Sequence, residues 1–202
     1  MFETIKNAFA SKEIRKKMLY TLLMILIFRI GCFIPIPGIK ASAIAGVMGN
    51  SEFFQLLSIV SGGAMSQGTL FALGIIPFIN AFIIMQLLTL IIPRLEKMSK
   101  EGEEGRKKIT QITRYVAIVL AIIQSIGILL SWRNGGIEPA FGPGQASEIC
   151  TMILMGIILV GGSTFVMWIG ERITEYGIGN GTSLIIFIGI LSGGGSALIH
   201  SF

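Results

Sequence analysis

The sequence predicts an all-α polytopic membrane protein with five transmembrane helices and one short re-entrant helix. Three observations carry this. Hydrophobic residues make up 52% of the 202 residues and charged ones only 13%, about half the charge of a soluble domain. Mean hydropathy is +0.79. Five stretches are apolar for close to the roughly 20 residues needed to cross a bilayer as a helix, and the charges are confined to blocks between them.

The first segment, 1–17, holds Lys6, Lys12, Arg15, Lys16 and Lys17 and reads as a cytoplasmic amphipathic arm. Span one follows at 18–36, interrupted by Arg29 and closed by Pro35 and Pro37. An arginine within a span is costly. Its head either snorkels to the external headgroups or pairs with a backbone carbonyl or polar group of a neighbouring helix. A basic start before an apolar run also fits a signal peptide, but there is no small-residue cleavage site and four more spans follow.

The whole interval 53–93 is uncharged, yet one span needs only about half of it. Phe53 to Val60 reads as two turns of amphipathic helix with Ser51 as N-cap, stopped by Ser61-Gly62-Gly63. Residues 53–69 therefore form either a re-entrant segment or an interfacial helix on the outer surface. Irregular backbone at membrane depth requires burial in protein or a water-filled cavity. Span two is placed at 70–92, where Pro77 removes a helical hydrogen bond and Gly74 leaves room beside the kink. Ile75, Ile79 and Ile83 recur at i, i+4, i+8, and Asn80 and Gln86 are polar groups at membrane depth. Such groups face protein or water.

The loop 93–112 alternates charge signs, places Gly102 and Gly105 as hinges, and ends in Arg106-Lys107-Lys108. Its simplest role is an anchor beside anionic lipid. Docking of a large acidic or RNA-rich partner is compatible with the same charges. Span three is placed at 113–131 with Gln124, Ser125 and Gly127, and span four at 149–169 with Gly156, Gly161, Gly162 and Ser163, small residues suited to close packing. A cytoplasmic loop, 170–181, leads to span five at 182–202, whose Thr182, Ile186 and Ile190 repeat the spacing of span two. Such stripes either face lipid or the bundle core or form a hydrophobic constriction, and periodicity alone does not choose between them. Span five then stops without a polar tail, so a fragment is the economical reading.

Orientation follows from the positive-inside rule. With the N-terminus cytoplasmic, 13 of the 16 Lys and Arg residues lie inside, Lys40 and Arg133 outside, and Arg29 within a span. Chemistry by the chain itself is disfavoured. There is no aspartate, one histidine (His200) and two cysteines, Cys32 and Cys150, so neither a histidine metal cluster nor a disulfide framework is available. The glycine runs lack the strand–turn–helix setting of a nucleotide site, and no cofactor is expected. Arg29, Asn80, Gln86 and Gln124 are too few for the midplane cluster of a secondary transporter. Glu171 and Glu175 sit in a loop, so the paired geometry of an intramembrane protease cannot be assembled.

The motifs Arg29-Ile30-Gly31, Ile34-Pro35-Ile36-Pro37-Gly38, Ser61-Gly62-Gly63-Ala64 and Phe71 to Pro77 occur in order along the chain. Gly105 to Ile109, Thr113-Arg114-Tyr115, Gly170 to Glu175 and Gly177 to Gly181 continue the series. With these the chain resembles the N-terminal half of the SecY/Sec61 alpha family of protein-conducting channels, over nearly its whole length. The resemblance implies the first half of a ten-helix inverted repeat in the bacterial inner membrane. It implies a plug around Phe54, Leu57, Ile59, Val60, Ser61, Gly62 and Gly63, and a pore ring with Ile75, Ile79, Ile186 and Ile190. It places Ile83, Asn80, Gln86 and Gln124 at a lateral gate and Arg106, Lys107 and Lys108 in cytoplasmic contacts. The implied partners are the C-terminal half, SecE-like and SecG-like small subunits, the SecA motor ATPase, the ribosome with its RNA, signal peptides, nascent polypeptides and anionic lipid. The implied function is passage of unfolded secretory chains and lateral release of transmembrane segments. A truncated nascent subunit acting as an insertion substrate is the alternative.

Overall fold

The computed structural model describes residues 11–39, 44, 52–133 and 145–200, with side chains left out at 52–54, 145–146 and 194–200. The arm 1–10, the cap at Ser51, residues 40–43, 45–50 and 134–144, the Phe54 side chain and the last two residues of span five lie outside the described residues. Seven helices follow in order: α1 Lys12–Gly31, α2 Glu52–Val60, α3 Ile76–Ile91, α4 Pro93–Lys100, α5 Glu103–Arg133, α6 Gln145–Tyr176 and α7 Gly181–His200.

The two long helices form the centre. α5 packs on α3 and α6, and α6 also packs on α1 and α7. One core cluster joins Met65, Ala72 and Leu73 to Ile128, Leu129 and Trp132 of α5 and to Met155 and Leu159 of α6. A second joins Met24 and Phe28 of α1 to Phe71, Ile75, Val166, Ile169, Ile173 and Ile185. The faces turned outward are apolar too: Leu22, Phe33, Leu87, Leu90, Ile123 and Ile157 are all exposed. Water would not tolerate so continuous an apolar surface, and lipid does.

Among the described residues, α5 and the Ser147–Tyr176 part of α6 are long and apolar enough to cross a membrane. A third crossing is available if α3 and α4, bent by 103° at Ile92, are taken together. α1 falls short because Arg15, Lys16, Lys17 and Arg29 occupy its two ends, and the described apolar part of α7, Gly181–Gly193, is shorter. Both central helices outrun the expected spans. α5 starts at Glu103 and not near 113, and α6 runs on to Tyr176 where a loop was expected from 170. Charged residues at helix ends outside the hydrocarbon are solvated without breaking the helix, and Arg172 pairs with Glu175 at i, i+3 (2.9 Å), which favours continuation.

Two expectations need correction. Pro77 does not kink a helix spanning 70–92: it lies in the first turn of α3, where its missing N–H leaves nothing unpaired. Residues 61–75 are a compact run of turns instead. Gly105 is not a hinge either. It is buried inside α5, where a side chain would meet the Met98 carbonyl. Gly102, at φ +82°, makes the break between α4 and α5.

Most of the turn segment is buried or half-buried, with Gln67 exposed. Ile36 N–H donates to Gly68 O (3.0 Å) and Leu70 N–H to Ile34 O (2.9 Å), a short antiparallel contact about Pro35 and Thr69. Thr69 Oγ1 donates to Ala64 O (3.0 Å). Ser163 of α6 donates to Gly74 O (3.1 Å), and Gly162 accommodates the Leu70 carbonyl against its backbone. Buried irregular backbone must find such partners.

Candidate functional site

The site is built where α2, the turn after it, α1 and α7 converge. Ser61 N–H donates to Leu57 O (2.9 Å) and Gly63 N–H to Ser58 O (2.8 Å), which closes the end of α2. Ser61 Oγ donates to Ser58 O (3.1 Å) and accepts from Met65 N–H (3.2 Å). Gly62 has φ +67°, in the left-handed region that glycine enters without strain. These turns aim the last carbonyls of α2 at α7. There, Gly189 lies against the Val60 carbonyl, and a Cβ on Gly193 would be 3.0 Å from Ile59 O. α2 thus meets α7 backbone to backbone.

Arg29 completes this junction. Its Nη2 donates to Ile188 O across 159 positions of sequence (2.7 Å), and its Nη1 lies beside Gly62. Of the two expected environments for this arginine, the carbonyl of a neighbouring helix is the one occupied.

Ile79 and Ile186 are both half-buried and line one cleft of ≈ 520 Å³ with Phe78, Phe82, Thr113 and Asn180. The other two members of the stripe pair diverge within this chain. Ile75 is 3% exposed and belongs to the core with Ile185, whereas Ile190 is 46% exposed. Ile75 precedes α3 as its N-cap, so it does not continue the helical stripe. Thr182 lines the same cleft as Ile79. Its N–H and that of Ser183 are capped by Asn180 Oδ1 at 3.1 and 3.4 Å.

Asn80 and Gln124 face a second cleft, of ≈ 400 Å³, shared with Leu57 of α2 and with Met65 and Ile128. Ile83 and Gln86, expected beside them, are exposed on the outer side of α3. Val60 is half-buried and Ile59 more open.

At the charged end, Arg106, Lys107 and Lys108 project from the first turns of α5 and are exposed. Arg114 Nε binds Glu171 Oε1 (2.7 Å), joining α5 to α6, and Arg172 stacks 5.5 Å from the rings of Trp168 and Tyr176. On α4 the Lys100 ammonium, hydrogen-bonded to the Glu96 carboxylate, holds that carboxyl below its ordinary value. Thr21 escaped the sequence reading. It donates to Lys17 O (2.9 Å) and accepts from Ile178 N–H (3.1 Å), fastening α1 to the α6–α7 turn. A lone threonine in an apolar run gives no signal of that. Among the described residues no group of three or more His, Cys, Asp or Glu could hold a metal ion.

Residues 69–201 match the family model for SecY. The chain belongs to the SecY family. The protein translocase subunit SecY of Staphylococcus carnosus is 44% identical over the whole of this chain and 46% of its own length. That of Staphylococcus epidermidis is 42% identical over 95% of this chain and 44% of its own. The chain spans about half the length of these SecY relatives. Among solved structures, canine Sec61 in a ribosome–channel complex from the endoplasmic reticulum aligns with TM-score 0.61 and 26% identity, covering 89% of this chain and 37% of that one. A structure of a protein-conducting channel aligns equally well at 25% identity, with the same coverage. These SecY relatives are named protein translocase subunits.

Proposed function

We propose that this chain supplies the N-terminal, five-span half of a bacterial protein translocation channel, N-terminus cytoplasmic, in the inner membrane. The observation that carries the reading is the folding of α2 and its turn back against α7, the helix that also gives Ile186 to the cleft shared with Ile79. In this reading α2 and residues 61–63 are the plug. Ile79 and Ile186, with Ile190 beyond them on α7 and Ile75 packed behind in the core, give half of an apolar ring that yields to a passing polypeptide and excludes ions without charge. The facing half comes from the C-terminal part of the channel.

Asn80 and Gln124, with Ile83 and Gln86 on the outer side of α3, form one wall of the lateral gate. Through it hydrophobic segments, signal peptides included, leave for lipid. Polar groups there tune how hydrophobic a segment must be before lipid is preferred. Arg106, Lys107 and Lys108 dock the motor ATPase SecA or the ribosome, and SecE-like and SecG-like subunits brace the assembly. The energy comes from those partners.

The test is co-expression with the C-terminal half of a full-length relative and the small subunits, followed by reconstitution into vesicles with SecA and an unfolded secretory precursor. Protease-protected precursor is expected only when both halves are present. An assembled complex that never protects precursor would sink the proposal.

A further inference from the structure

We infer that Arg29 is a positioning residue that latches the end of α2 to α7. Three observations converge on it. Its Nη2 donates to Ile188 O (2.7 Å), a carbonyl in the middle of α7. Its Nη1 lies beside Gly62, in the turn that ends α2. The α2 end itself rests on α7 at Gly189 and Gly193 with no side chain between the backbones. A guanidinium is charged at every accessible pH and strongly disfavours exposure to hydrocarbon. Here it sits at the carboxyl end of α2, where the partial negative charge of the helix dipole favours a cation.

Carboxylates do not account for the position. The four ion pairs among the described residues join Glu96 to Lys100, Glu171 to Arg114, Glu148 to Arg133 and Glu175 to Arg172. A carboxylate partner would hold Arg29 wherever α2 stood. A partnership of the Ile188 carbonyl and the end of α2 is complete only while α2 is docked. Moving α2 off α7 strips the charge of the dipole, so docking and arginine burial are coupled.

This inference rests on reading α2 as the plug, and the experiment separates the two. Spin labels are placed at Leu56→Cys on α2 and Leu191→Cys on α7, both exposed positions, in a Cys150→Ser background. The assembled protein is reconstituted in lipid nanodiscs, and the label–label distance is measured alongside resting ion leak in vesicles. The latch predicts one narrow distance in the parent. In Arg29→Met a longer-distance population rises roughly 10- to 100-fold, the range of a charge-assisted hydrogen bond, and Arg29→Lys restores most of the narrow peak. Arg29→Gln is measured in parallel, so that a single variant that fails to insert leaves the other to decide. An unchanged distance in a folded variant overturns the latch, whatever the leak does. A changed distance with unchanged leak upholds the latch and removes the plug role from α2.

Discussion

Gly189 of α7 lies directly against the carbonyl oxygen of Val60 at the end of α2, leaving no room for even a methyl group. Gly62 approaches the same residue, with the position of its absent Cβ 3.3 Å from Gly189 Cα. Substituting Gly189→Ala therefore forces α2 and α7 apart. Overpacking of this kind costs about 1–3 kcal/mol. The amides of 61–65 should exchange with solvent at least several-fold faster, as read by hydrogen-exchange mass spectrometry. Exchange as slow as in the parent would show that the contact is not made.

Ser163→Ala removes the hydroxyl that satisfies Gly74 O in the buried turn segment. Hydrogen bonds between membrane segments are worth about 0.6 kcal/mol on average and reach about 1.7. We expect a loss near the upper value, because the carbonyl stays buried after its donor is gone. Equilibrium unfolding in mixed micelles measures it, and a neutral substitution would mean another donor takes over.

The Arg114–Glu171 pair is partly solvated, with 46% and 20% of the two side chains exposed. Partly solvated pairs are worth under about 1 kcal/mol. A double-mutant cycle with Arg114→Gln and Glu171→Gln should give a coupling of that size, shrinking as salt is raised. A coupling that ignores salt would place the pair in a far drier setting.

Glu96 offers a pH test. Its carboxyl is held low by the hydrogen bond from Lys100 and then by that ammonium's charge. A depressed carboxylate stabilises the folded state above its unfolded pKa, and the contribution disappears as pH falls through the lower, folded value. Lys100→Met should raise the Glu96 midpoint toward the ordinary one, as followed by carboxyl resonances in a labelled sample. An unmoved midpoint would mean the two side chains do not meet in solution.

Charge reversal at Arg106, Lys107 and Lys108 should weaken docking of a cytoplasmic partner without changing helix content. If that partner presents RNA, losing three phosphate contacts flattens the slope of log affinity against log salt by about 2 units. Equal slopes in parent and variant would remove these residues from the interface.

The long apolar helices were legible because period and length leave few alternatives for a run such as Thr113 to Leu130. The turn segment 61–75 was not. Its residues are as apolar as a helix, and composition cannot distinguish apolar turns buried in protein from an apolar span. Pro77 read as a kink for the same reason: whether a proline starts or bends a helix depends on what precedes it, and Gly74 alone was ambiguous. The length excess of 53–93 did signal irregular backbone. For Arg29 the sequence offered two destinations, and only the fold could choose, since its acceptor on α7 is set by helix packing and not by any local pattern. Ile79 and Ile186 shared a reading with Ile75 and Ile190 by spacing, but spacing does not reveal that α3 begins after Ile75.

The bond between Ser163 and Gly74 also fixes an order of events during synthesis. The carbonyl leaves the ribosome 89 residues before the hydroxyl that will satisfy it, a delay of roughly 4–18 s at ordinary elongation rates. Arg29 waits for a carbonyl 159 residues away, roughly 8–32 s. Throughout that interval the newborn chain carries an unsatisfied turn and an uncompensated cation that lipid would reject. The early helices therefore reach their final arrangement only once α6 and α7 have been made.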